Sequence, residues 1–169
     1  MNVALIIVGL VALQRLAELS LAQRNLRRLL ARGGVETGSG HYPLIVGVHA
    51  AWLIALAIAV APGAAVAWTW LALFLLLQAA RVWIIASLGE YWTTRIVSIA
   101  GDPLVRRGPY RFLRHPNYVV VAAEIPVLPM VFDEWQLAIG FGVANLAVLG
   151  WRIRIEEHTL AARRKPLST

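Results

Sequence analysis

RRGPYRFLRHPNY, residues 106–118, is the stretch on which the reading of this chain turns. It crowds Arg106, Arg107, Arg111, Arg114 and the ionisable His115 together with two tyrosines and two prolines, in a chain that is otherwise mostly hydrocarbon. Charge at that density is costly in apolar surroundings unless something anionic meets it. Gly108-Pro109 is a turn signal, and Pro116 suits the first position of a helix, where its missing N–H has no partner to lose. The segment reads as a basic loop running into a helix N-terminus, where free N–H groups beside arginines form a ready anion site. The plainer alternative is the positively charged cytoplasmic loop of a membrane protein.

The residues on either side settle the fold class. The chain is 59% hydrophobic and 15% charged, with mean hydropathy +0.67, well above the apolar share of a soluble domain. Together these predict one domain, 1–169, in an all-α integral membrane protein. A net charge of +7 raises nucleic acid as a partner, but the arginines sit between long apolar runs and form no continuous face, so none is expected. With no cysteine there is no thiolate or disulfide chemistry, and four scattered histidines without paired spacing predict no metal site. The start, Met1-Asn2-Val3, lacks a basic n-region, so the first apolar run reads as a retained helix and not a signal peptide.

About 20 helical residues cross roughly 30 Å of hydrocarbon. Five spans of about that kind can be marked, at 2–21, 43–61, 67–89, 116–132 and 135–151. The first carries Gln14, Arg15 and Glu18; Arg15 and Glu18, three apart, lie on one helix face and are expected to pair. Arg24, Arg27 and Arg28 follow as an interfacial extension. His49, on the second span, reads as a satisfied interior hydrogen bonder, and Gln78 and Arg81 lie on the third. The fourth holds Glu124 and is interrupted by Pro126 and Pro129, so it must be kinked, tilted or only partly inserted. No strand-like alternation and no internal repeat is visible. Fourteen of the arginines and lysines fall in the segment after span one, the loop before span four and the C-terminal segment, and none in the other loops. The positive-inside rule then puts the N-terminus outside, the C-terminus in the cytoplasm, and the protein in the cell (inner) membrane.

Both polar clusters, 92–118 and 152–165, therefore face the cytoplasm. On the last helix Arg152 and Glu156 lie one above the other, with Glu157 and His158 on neighbouring faces. A solvated helix end with an exposed ion pair is one reading. The other is functional: arginines for a carboxylate, carboxylates for hydroxyls or an ammonium, and tyrosine faces for a cation suit an amphoteric, cationic cofactor.

The run GPYRFLRHPNY (108–118), with Glu124 downstream and RIRIEEHTL (152–160) near the end, resembles the isoprenylcysteine carboxyl methyltransferase (ICMT) family of membrane methyltransferases. Within it the sequence looks most like small bacterial members that O-methylate alkylpyrones or alkylresorcinols. The resemblance implies S-adenosylmethionine as cofactor, held by Arg114, His115, Pro116, Tyr118, Arg152, Glu156 and Glu157, and a lipophilic acceptor entering from the bilayer. Prenylcysteine enzymes usually carry glycine two residues after the motif tyrosine, where this chain has Val120. That departure favours an enol or phenol acceptor over a prenylcysteine carboxylate.

A phenol with a pKa of about 10 stays protonated at neutral pH and gains from a general base, whereas a carboxylate does not need one. Two candidates present themselves. His115 starts the fourth helix, whose positive end disfavours a further positive charge on the ring. Glu124 lies deeper in the same helix, with a partnership to Arg15 or Arg81 as its alternative role. Two other classes compete with the enzyme: a small transporter, which would share the intramembrane charges but normally shows a repeat, and a lipid-binding scaffold.

Overall fold

The computed structural model describes residues 3–37, 40, 42–102 and 105–164, with side chains described as far as Glu156. Helix α1 spans Val3–Ala31, α2 Tyr42–Ala59, α3 Trp68–Leu88, α4 Pro116–Met130 and α5 Trp135–Arg164. Strands β1 (Val35–Thr37) and β2 (Ile96–Ser98) pair antiparallel, with Glu36 opposite Val97. The strand pair is absent from the sequence reading because three residues are too few to show alternation. It joins the segment after α1 to the loop before α4, and Arg95 braces it through a 2.8 Å bond to Glu36.

Among the described residues four helices, α1, α2, α3 and α5, are long and apolar enough to cross a membrane. Helix α4 occupies the place of the expected fourth span but is short: its 15 residues rise only about 22 Å and include Pro126 and Pro129, and its far end meets the start of α3, where the Ala67 N–H donates to the Val131 carbonyl at 2.9 Å. It is the interior helix of the bundle, packed most extensively against α5 and α3, with Glu124, Ile125 and Leu128 almost wholly enclosed. Enclosure is what permits the prolines, because neighbouring helices surround backbone groups that lipid could not satisfy. The fold is thus all-helical apart from the strand pair, and α1 continues through the basic residues Arg24, Arg27 and Arg28, which are exposed as expected.

The exterior is apolar. Leu10, Leu13, Ile58, Leu76 and Val143 are each at least 60% exposed, whereas Glu18, Arg81, Glu124, Asn145 and Arg152 are buried. Such an inverted distribution suits hydrocarbon as solvent, where outward leucine costs nothing and charge must turn inward. The core centres on Trp52, Leu56, Ile125, Leu128 and Val131.

Candidate active site

Three contacts fix the polar loop to the helix ends. Asn25 on α1 donates to the carbonyls of Gly89 (3.1 Å) and Trp92 (2.9 Å), so the chain leaving α3 is tied back to α1. Arg107 Nε donates to the Ser87 carbonyl at 2.6 Å, capping the end of α3. Gly108 follows at φ +56°, where a Cβ would stand 2.1 Å from Ser87 Oγ, so both the backbone conformation and the space require glycine. The chain then runs through Pro109 and Tyr110 into α4, with Pro116 buried in its first turn.

At that start the motif residues meet α5. The Tyr118 ring stacks on His115 with centroids 5.3 Å apart. Its hydroxyl donates a short hydrogen bond to Glu156 and accepts one from Arg152 Nε at 2.7 Å. The Arg152 guanidinium also lies 5.5 Å from the centre of the Tyr118 ring, and His115 Nδ1 stands 3.9 Å from Glu156, beyond hydrogen-bond reach. Tyr110, which drew no attention in the sequence, is near this cluster: burial first, and the Glu156 carboxylate second, push its hydroxyl above the usual phenol value. Of the seven residues expected around the cofactor, the structure brings His115, Pro116, Tyr118, Arg152 and Glu156 together. Arg114 is exposed beside them, and the side chain of Glu157 lies outside the described residues, as do those of Arg163, Arg164 and Lys165.

Deeper in the bundle two arginines and two glutamates form one network. Glu18 accepts from Arg81 Nε and Nη2, both at 2.7 Å, and from Arg15 and Gln14 at 3.0 Å. Glu124 accepts from Gln78 at 2.8 Å, Arg15 at 2.9 Å and Arg81 at 3.1 Å. The charges balance and both carboxylates are fully subscribed, as buried ions must be. The predicted Arg15–Glu18 pair is therefore half of a larger unit, and Glu124 takes both of the partners considered for it.

Between cluster and network lies a cavity of about 730 Å³, counting the part open to the outside. Asn117, Tyr118 and Arg152 line one part of it, and Arg15, Glu18 and Arg81 another. Leu19, Ile45, Val46, Val121 and Leu149 give it apolar wall, and His49, Thr93, Thr94 and the amphipathic rings of Tyr42 and Trp92 complete its lining. Asn117 Oδ1 is buried without a hydrogen-bond partner among the described residues. An orphaned acceptor at a cavity wall is a place for a ligand donor.

A helical bundle with an apolar exterior, interior charges and a cavity of mixed lining next to a basic loop has the features of a membrane protein with an interior site. Residues 70–162 match the model of the Isoprenylcysteine carboxyl methyltransferase (ICMT) family, a range that takes in α3, α4 and the Arg152–Glu156 end of α5. The chain is also 34% identical over 163 residues to "Uncharacterized protein YpbQ" of Bacillus subtilis (strain 168), covering 92% of this chain and 95% of that one. No solved structure gives a significant match. The chain belongs to the isoprenylcysteine carboxyl methyltransferase family, and the family points to a membrane methyltransferase.

Proposed function

We propose that the protein is an S-adenosylmethionine-dependent O-methyltransferase that works at the cytoplasmic face of the cell membrane on a hydroxyl of a lipophilic acceptor, such as an alkylpyrone or alkylresorcinol. The observation that carries this reading is the Arg152–Tyr118–Glu156 interlock, set against a cavity whose remaining wall is partly apolar.

The residues present fit the cofactor. Arg152 suits its carboxylate, Glu156 its hydroxyl or ammonium donors, and the orphaned Asn117 Oδ1 a further N–H donor. Arg114, His115, Pro116, Tyr118 and Glu157 complete the proposed cofactor set. When bound, S-adenosylmethionine supplies an electrophilic methyl group on a sulfonium sulfur. The protein's share is to hold two partners in line and to keep water away, which positioning and exclusion from solvent accomplish. Val121, Leu149, Ile45 and Val46 give the alkyl tail an apolar wall, while the polar head reaches the charged end of the cavity. Glu124 serves here to hold Arg15 and Arg81 in place.

Radiolabelled methyl transfer by purified protein to a long-chain alkylresorcinol, an alkylpyrone and a farnesylated cysteine tests the proposal. Transfer to the hydroxyl acceptors supports it. Exclusive methylation of the farnesylcysteine would assign the chain to carboxyl methylation instead, and transfer to none would refute it.

A further inference from the structure

Methylating a neutral hydroxyl requires somewhere for its proton to go, and most of the polar groups around the cavity are unable to take it. Arginines 15, 81 and 152 only donate. Glu18 receives four hydrogen bonds on its two oxygens, and Glu124 receives three. The Tyr118 hydroxyl is engaged with Glu156 and Arg152, Thr93 donates to the Arg95 carbonyl, and Thr94 donates to the Tyr42 hydroxyl at 3.4 Å.

His49 differs from all of these. Its Nδ1 lies 2.9 Å from the carbonyl oxygen of Ile45, one turn back on α2. A carbonyl can only accept, so Nδ1 carries the hydrogen and the neutral ring has its lone pair on Nε2. That bond is the one hydrogen bond His49 makes among the described residues, which leaves Nε2 as an unengaged proton acceptor on a residue of the cavity wall. The ring is held from a second side by Trp52, itself wholly buried, at 6.5 Å and 83°. His49 also lies outside residues 70–162, in the part of the chain that the family model does not describe.

We infer that His49 is the catalytic base of the methyl transfer, an inference that rests on the proposed hydroxyl acceptor. Its Nε2 takes the acceptor's proton as an oxygen lone pair forms the new O–C bond to the methyl carbon. The C–S bond breaks, and its electron pair stays on sulfur, which becomes a neutral thioether. The positive charge that began on sulfonium ends on the imidazolium, which loses its proton to water as the products leave. Among the charged residues that line the cavity with His49, Arg15, Arg81 and Arg152 oppose the new positive charge, and Glu18, paired with Arg15 and Arg81, is the anionic one.

The test compares wild type with His49→Gln and His49→Ala in methyl transfer to an alkylresorcinol between pH 7 and about 10, the phenol range, and in calorimetric binding of S-adenosylhomocysteine. The expected result is a fall in kcat of about 100- to 10,000-fold at neutral pH for both variants. KM and S-adenosylhomocysteine affinity should stay within about twofold, and activity should recover as the acceptor ionises at high pH. Since glutamine keeps the wall filled without accepting a proton, it separates loss of the base from loss of packing. Wild-type kcat in either variant at neutral pH would overturn the inference and leave the methyltransferase reading intact. So would a parallel loss of S-adenosylhomocysteine affinity, which would make His49 a structural or cofactor residue. A wild-type protein that binds S-adenosylhomocysteine but methylates carboxylates alone would overturn both the hydroxyl reading and the base.

Discussion

Replacing Glu124 by glutamine should be among the most destabilising conservative changes in the molecule. Glu124 is 1% exposed and closes a neutral unit of two arginines and two glutamates, within which Arg15 and Arg81 are also nearly buried. Neutralising it leaves Glu18 alone to compensate two guanidinium groups, and an amide that keeps its oxygen toward Arg15 and Arg81 turns its N–H toward Gln78, itself a donor to Glu124. Removing one partner of a buried ion pair costs about 3–5 kcal/mol. At about 2–4 °C per kcal/mol for a chain of this size, the melting temperature in detergent should fall by roughly 6–20 °C. Glu36→Gln, at the Arg95 pair whose side chains are 34% and 20% exposed, provides the control and should cost only about 0–1 kcal/mol. The charge-balanced double variant Arg81→Met with Glu124→Leu should melt above Glu124→Gln, because it leaves Arg15 and Glu18 as a neutral pair. Equal melting of Glu124→Gln and Glu36→Gln, or a double variant that melts below Glu124→Gln, would refute the description of a single buried network.

Three other changes test neighbouring parts of the structure. Gly108→Ala should destabilise by at least about 1–2 kcal/mol from its backbone conformation alone, with a further penalty from the 2.1 Å approach to Ser87; a melting curve matching wild type would show the turn is not as described. Tyr118→Phe, which removes the hydroxyl joining Arg152 to Glu156, should lower methyl transfer at least about tenfold while shifting the melting temperature by only a few degrees, since a lost hydrogen bond is worth about 1 kcal/mol. A reporter fused after Thr169 should be cytoplasmic and one inserted at Pro62 external, and the reverse labelling would contradict the positive-inside reading.

Much of this was legible before any coordinates, for identifiable reasons. Hydropathy marks α1, α2, α3 and α5 because each must meet lipid along most of its length, and that requirement is written locally. Helix α4 is harder to read by the same rule: Val120, Val121 and Ile125 are as apolar as a lipid-facing run but face the protein interior, whereas Val119 is exposed. The Arg152–Glu156 spacing and the RHPNY motif are local patterns, so their meeting could be expected, although Tyr118 as the link between them required the tertiary structure. Arg81 illustrates what sequence cannot supply. Its partners Glu18 and Glu124 are 63 and 43 residues away; pairing with Glu124 could be considered from two buried charges of opposite sign, but nothing in the neighbours of Arg81 names Glu18 or joins the four charges into one unit. For His49 the interior hydrogen bond was foreseen, but not that the residue lines a cavity, which depends on Arg15, Arg81, Tyr118 and Arg152 converging from four other helices.

The account stands or falls on whether the Tyr118–Arg152–Glu156 cluster holds S-adenosylmethionine. Calorimetric titration of the detergent-purified protein with S-adenosylhomocysteine is the direct measurement, run on wild type and on Glu156→Gln. Saturable one-to-one binding by wild type, weakened about tenfold or more in a Glu156→Gln variant that melts like wild type, is the expected result. It corresponds to at least about 1.4 kcal/mol, next to the lower end of the range for a hydrogen bond to a charged group, about 1.5–3 kcal/mol. No heat of binding with wild type, or equal affinity in the variant, would contradict it.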